Sequence, residues 1–406
     1  MIDLHKHIRI AIGYFLMVAL MGVLMRFYVV FPLPFIHKYM LHAHSHVAIL
    51  GWIYLGLTTL VYHVFLREAQ LSKRYRRIFI FTNITILGML VTFPIQGYAL
   101  FSIIFSTLFL FASYWFAAFA INHVPEKYKN RFSWKLIKTG IWYLVISSIG
   151  PWAIGGVMAT LGPESIWYKT SIYFYLHFQY NGWFILALLG VFFYIMEEQG
   201  MRFNQAKLKS LFFTLNCGIL LSFFLSALWF KPPVIFYILG AVGATAQLLA
   251  FIELFEILKP HKQKLKSLFS ERALLLIDIA IVLLGIKLFM QLMSAIPHYA
   301  ALVNALKDFI IGYLHMVFLG IIIPLMLVLL NFFNLIRLTK RFLNLFIFTV
   351  AATEIIIFYK AFALWLGWPF FAKYYLLLAS VSVLFLVAIG MLFQDNMKPL
   401  HQGIKK

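Results

Sequence analysis

The stretch LHAHSHVAILGWIYLGLTTLVYH, residues 41–63, decides the class of this protein. Three histidines at alternate positions open it, and the sixteen residues from Val47 to Tyr62 carry no charge. A helix needs roughly 20 mostly apolar residues to cross a bilayer, and 41–66 supplies that length. The rest of the chain shares this character: of 406 residues 63% are hydrophobic, 18% aromatic and 12% charged. Soluble domains are about half apolar and a quarter charged. The composition therefore excludes a soluble enzyme, a disordered chain and a nucleic-acid-binding domain. The single cysteine, Cys217, excludes a disulfide framework, a CxxC redox pair and CxxCH haem attachment.

Comparable stretches lie near 8–31, 41–66, 77–96, 98–121, 136–160 and 171–196, then near 208–230, 233–258, 273–294, 309–330, 342–366 and 372–393. The closest junctions are broken by Gln96-Gly97 and by Lys231-Pro232-Pro233, since proline lacks an N–H and disfavours helix before it. The basic residues test this count. With the termini and every second loop on one side, that side holds 26 of the 34 Lys and Arg, the other side five, and the spans three. Such alternation predicts an all-α integral membrane protein of twelve helices with both termini cytoplasmic. The net charge of +21 is thus an orientation signal, and no nucleic acid is expected as a partner. The N-terminal MIDLHKHIR runs into the first span without an Ala-x-Ala site, as an uncleaved helix does. The expected location is a bacterial-type cytoplasmic membrane, with the lipid bilayer as partner.

His46, His177 and His315 lie in spans 2, 6 and 10, each with a glycine five residues on: Gly51, Gly182 and Gly320. Tyr-Leu precedes two of them, and Trp follows two of the glycines. Their separations, 131 and 138 residues, divide the chain into three pseudo-repeated four-helix units near 1–135, 136–270 and 271–406 within one membrane domain. Each histidine falls about six residues from the outer end of its span, or roughly 9 Å. Ionisable groups inside spans are costly and tend to mark function, and imidazole is the commonest metal-ligating side chain. The glycine leaves room for a flat macrocycle or for another helix. The plainer alternative is a histidine bonded to a neighbouring carbonyl, with the glycines serving helix packing. His42 shares a helical face with His46, and His44 points elsewhere. His63 reads as a cytoplasmic-end residue.

The three basic residues within spans, Arg26, Lys287 and Lys360, lie near the histidine level. Cations there invite an anionic partner such as haem propionates, unless they snorkel to the interface. Glu354 is the acid nearest a membrane centre, as a proton-relay group or a lysine's partner.

Twelve spans with histidines in spans 2, 6 and 10 resemble the catalytic subunit of haem-copper oxidases, over the whole chain as architecture and over short stretches as motif. HAHSHVAILGWIYLGLTTLVYH resembles the second helix of divergent members, and the twelve-span NnrS family, linked to nitric oxide stress, is similar in size. The resemblance implies haem b held by His46 (or its neighbours His42 and His44) and His315, and copper at His177. It also implies electron transfer, or binding and reduction of oxygen or nitric oxide, with an unidentified electron donor. The sequence departs from the pattern in three places. Tyr313 and Val317 stand where a second span-10 histidine would be, 208–230 has no histidine pair, and Asn181 replaces the span-6 tyrosine. Without those ligands the usual binuclear centre cannot be assembled. One haem with two histidines remains feasible, and His177 with His44 or His42 could hold a second metal or leave an open site for a gas. Two other classes share the twelve-span layout: a transporter and a metal permease that admits its cargo at HAHSH.

Overall fold

The structure is a computed structural model that describes residues 3–397; Lys398, Lys405 and Lys406 of the basic count above lie outside the described residues. Twelve helices are long and apolar enough to cross a membrane, and no strand occurs among the described residues. Spans 1–4 are Leu4–Tyr28, His37–Ala69, Ser72–Gln96 and Leu100–His123. Spans 5–8 are Phe132–Thr160, Ile166–Glu198, Gln205–Phe230 and Val234–Leu268. Spans 9–12 are Glu271–Ser294, Lys307–Phe332, Lys340–Leu366 and Tyr374–Asp395.

The boundaries follow local chemistry. Spans 1, 7, 9 and 11 start at Asp3, Asn204, Ser270 and Thr339, whose side chains each accept from a backbone N–H of the first turn. Span 3 ends at Gly97, which takes φ +61°, a conformation only glycine adopts freely. Span 7 tightens into a 3-10 turn over Phe223–Phe230 and ends at Lys231, itself left-handed, before Pro232-Pro233. A short helix at Pro297–Ala305, with proline at its start, joins spans 9 and 10.

The chain packs as two compact units, Met1–Pro125 with Met326–Lys406, and Glu126–Leu325. This division differs from the three stretches drawn from sequence period. In the first unit span 1 packs on spans 2 and 12, span 3 on span 4, and span 11 on span 12. In the second, span 5 packs on 6, span 7 on 8, and span 9 on the middle of 10, at Met316–Ile322. Spans 2, 6 and 10 are the most enclosed, with 94%, 78% and 67% of their apolar windows buried against 28% to 44% elsewhere.

Candidate functional site

Each of the three histidines ends an α-helical stretch, and a π-helical stretch begins at the next residue. The π segments are Val47–Tyr54, Phe178–Phe184 and Met316–Ile322. A fourth, Tyr62–Leu66, lies further along span 2 and contains His63. Among the described residues the π-helix occurs in these three spans alone. Because π turns are rare and concentrate at functional sites, their coincidence with His46, His177 and His315 marks these levels of the helices. Gly51, Gly182 and Gly320 fall within the π segments. A Cβ at Gly51 would meet the Tyr14 side chain at 3.0 Å, one at Gly182 would meet Tyr143 Cβ at 2.6 Å, and one at Gly320 would strike Leu283. Of the two uses foreseen for these glycines, the structure selects close approach of the preceding span.

His46 is held in one tautomer. Its Nδ1–H donates to the carbonyl of His42 at 2.8 Å, so the neutral ring leaves Nε2 as acceptor, and the Tyr98 hydroxyl donates to it at 3.1 Å. Phe93 lies 4.5 Å from the His46 ring, centroid to centroid. His42, on the same helical face, sets its ring edge-on to Tyr98 at 4.6 Å. His44 points the other way, as expected, and its Nδ1–H donates to the carbonyl of Val18 at 3.0 Å, with Gly22 beneath the ring. A ring whose Nδ1–H is fixed by a carbonyl and whose Nε2 keeps its lone pair is the arrangement of a metal-ligating histidine. His46 and His44 both have it.

His177 has the opposite tautomer. Its Nε2–H donates to the carbonyl of Ile219 at 2.8 Å, and its Nδ1 accepts from Asn181 at 3.2 Å. Asn181 Oδ1 accepts from Lys287 Nζ at 2.6 Å, and Lys287 also donates to Gln247 Oε1 at 3.1 Å. The Gln247 amide then donates to Ser222 Oγ at 2.6 Å and to the Gly218 carbonyl at 3.3 Å. Lys287 is only 3% exposed and is met by two amide oxygens. A buried cation is costly without such partners, so the amides give this lysine its place. Neither ring nitrogen of His177 is left for copper in this arrangement, and its bond to Ile219 is the plainer role foreseen for an intramembrane histidine. Asn181 thus bridges the His177 ring to the Lys287 ammonium.

The other sequence-derived candidates are placed as follows. Arg26 donates to Ser382 Oγ, and both carboxylate oxygens of Glu354 are buried without a hydrogen-bond partner. Lys360 sits over the Tyr375 ring, 5.4 Å from its centroid. The His315 ring is half-buried at the start of its π segment. Among the described residues no three His, Cys, Asp or Glu side chains gather to hold a metal ion.

The sequence reading missed the Tyr98 cover, the amide network and one repeated pairing. Tyr14 donates from span 1 to the Asn83 carbonyl in span 3 at 3.4 Å, and Tyr143 donates from span 5 to Asn216 Oδ1 in span 7 at 2.9 Å. Both asparagines donate to the carbonyl of a phenylalanine four residues back, Phe79 and Phe212. The signal was present as two Phe-x-x-x-Asn stretches at similar distances from two tyrosines.

No protein-family model matches the chain, and no curated protein matches it.

Proposed function

We propose that this chain is a multi-pass membrane haem protein, divergent from the haem-copper oxidase catalytic subunit, that transfers electrons or binds oxygen or nitric oxide. The observation that carries the reading is the π-helical segment that begins one residue after His46, His177 and His315, in the three most enclosed spans. His46 would hold the haem iron by its own chemistry, since Nδ1–H is anchored on a carbonyl and the Nε2 lone pair meets only the Tyr98 hydroxyl. His315 would be its partner ligand on the resemblance alone. Haem b would supply a one-electron redox centre. Copper has weaker support, since His177 spends both nitrogens within the protein and no three-ligand cluster occurs among the described residues. Arg26 and Lys360 are the cations retained as partners for propionates.

Three four-helix units and cytoplasmic termini in a bacterial-type inner membrane belong to the same reading. The Tyr14–Asn83 and Tyr143–Asn216 pairings support the repeat, at spacings of 69 and 73 residues. Leu283 faces Gly320 as those tyrosines face their glycines, and Glu354 stands 71 residues beyond it.

The test is an absorption spectrum of the purified protein after expression with haem supplied. Dithionite reduction should give b-type bands, lost in His46→Ala and in His315→Ala and kept in Ser45→Ala. Absence of a Soret band in the purified protein overturns the reading, and a shift with carbon monoxide identifies an open iron position.

A membrane carrier is the second reading, favoured by one observation. Both carboxylate oxygens of Glu354 are buried without a hydrogen-bond partner in mid-span 11, and carriers place such acids on ion and proton pathways. A protein without haem that moves protons in vesicles, and loses this with Glu354→Gln, selects the carrier.

A further inference from the structure

A cavity of about 190 Å³ lies within the unit Glu126–Leu325, walled by parts of spans 6, 7, 9 and 10 and by the short helix Pro297–Ala305. Its size has a direct measure: an engineered apolar cavity of about 150 Å³ holds benzene. The space therefore takes one six-membered ring with small substituents, and it is far larger than a diatomic gas requires. Leu225, Met290, Phe309 and Leu314 give it apolar walls. No Asp, Glu, Lys or Arg lines it, and the His177 ring at its edge has both nitrogens committed elsewhere. Lys169 sits over the Trp229 ring, 4.2 Å from its centroid, but is not part of the lining. A neutral occupant is the one that strands no charge against these walls.

Three lining groups are unanswered. Gln291, 7% exposed, has a buried Oε1 with no donor, Trp229 has a buried Nε1–H with no acceptor, and the buried Tyr313 hydroxyl has no partner. Buried polar atoms are nearly always paired. The Tyr313 O–H can donate or accept, so Gln291 Oε1, which needs a donor, discriminates among occupants. An acyl chain leaves all three unsatisfied, a ketone or ether cannot answer Gln291, and a hydroxyl donates to Gln291 while its oxygen accepts from Trp229. The geometry points to a binding site for a neutral, ring-bearing hydroxyl compound, a membrane-soluble phenol, whose O–H donates to Gln291 Oε1 and whose oxygen accepts from Trp229 Nε1. The assignment of this site holds whether or not the protein carries haem.

The experiment uses the full chain in lipid nanodiscs at mildly acidic pH, with para-trifluoromethylphenol as probe and ligand-observed fluorine NMR as readout. Empty nanodiscs provide the partition baseline, and para-trifluoromethylanisole provides the same ring without an O–H. The phenol should bind the protein saturably above that baseline and about tenfold more tightly than the anisole, the ratio expected for one hydrogen bond. Gln291→Leu should weaken phenol binding about tenfold and leave anisole binding unchanged. Trp229→Phe should weaken both compounds, since each offers an oxygen to Nε1–H. Melting curves of each variant in the same nanodiscs verify folding, and Leu225→Trp, which fills the space, should abolish binding of both probes. Phenol binding no greater than in empty discs overturns the assignment. So does equal affinity for the anisole, or full phenol affinity in a folded Gln291→Leu.

Discussion

The Tyr98 hydroxyl donates to Nε2 of His46 at 3.1 Å, on the one ring nitrogen that the His42 carbonyl leaves with a lone pair. An iron ligated by His46 has to displace that hydroxyl. Tyr98 stands in the turn after Gly97 and is 48% exposed, so it has room to withdraw. Tyr98→Phe removes the competitor at the expense of one neutral hydrogen bond, worth about 1 kcal/mol. Haem titration of apoprotein should show several-fold tighter binding in Tyr98→Phe and none in His46→Ala; equal or weaker binding in Tyr98→Phe refutes competition by the hydroxyl.

The His177–Asn181–Lys287–Gln247 chain should be coupled in stability. Asn181→Leu removes one of the two oxygens facing Lys287 and the donor to His177, and should cost about 3 kcal/mol, as an uncompensated buried cation does. Lys287→Met in the same chain removes the stranded cation and should recover part of that loss. A double-mutant cycle on melting temperature in detergent measures the coupling. Additive losses would show that the four side chains act independently.

Gly182, and to a lesser degree Gly51, should resist a methyl group. Gly182→Ala places a Cβ 2.6 Å from Tyr143 Cβ, and Gly51→Ala places one 3.0 Å from Tyr14. Overpacking of this kind costs about 1–3 kcal/mol. Gly155→Ala, in a helix and with nothing within 4 Å of the new atom, should hold or slightly raise the melting temperature. If all three variants melt together, these helix contacts yield more easily than their geometry implies.

Orientation is open to direct labelling. Cys217 is the single cysteine, so Cys217→Ser gives a blank background. With cytoplasmic termini, Glu164→Cys between spans 5 and 6 should react with an impermeant maleimide in intact cells. Lys129→Cys between spans 4 and 5 should react only after permeabilisation. The reverse pattern inverts the topology.

The sequence determined the membrane class, the twelve spans and the histidine positions, because these rest on properties that act along the chain. Apolar length, the side-to-side alternation of Lys and Arg, and breaks such as Gly97 and Pro232-Pro233 need no tertiary contact to operate. The shared face of His42 and His46 was likewise legible, since helical spacing sets it.

What each imidazole does was decided by tertiary packing. His46, His177 and His315 stand in similar sequence contexts, yet His46 donates through Nδ1 and accepts at Nε2 from the half-exposed Tyr98, while His177 donates through Nε2 and accepts at Nδ1 from the buried Asn181. The difference comes from the Ile219 carbonyl, 42 residues away, and from Lys287, which reaches Asn181 across 106 residues. Helical period cannot specify such partners, because they depend on which spans come to lie side by side. The π widening after each histidine belongs with them: in Gly51 and Gly182 the sequence supplied the room, and the close approach of Tyr14 and Tyr143 on neighbouring helices is what uses it.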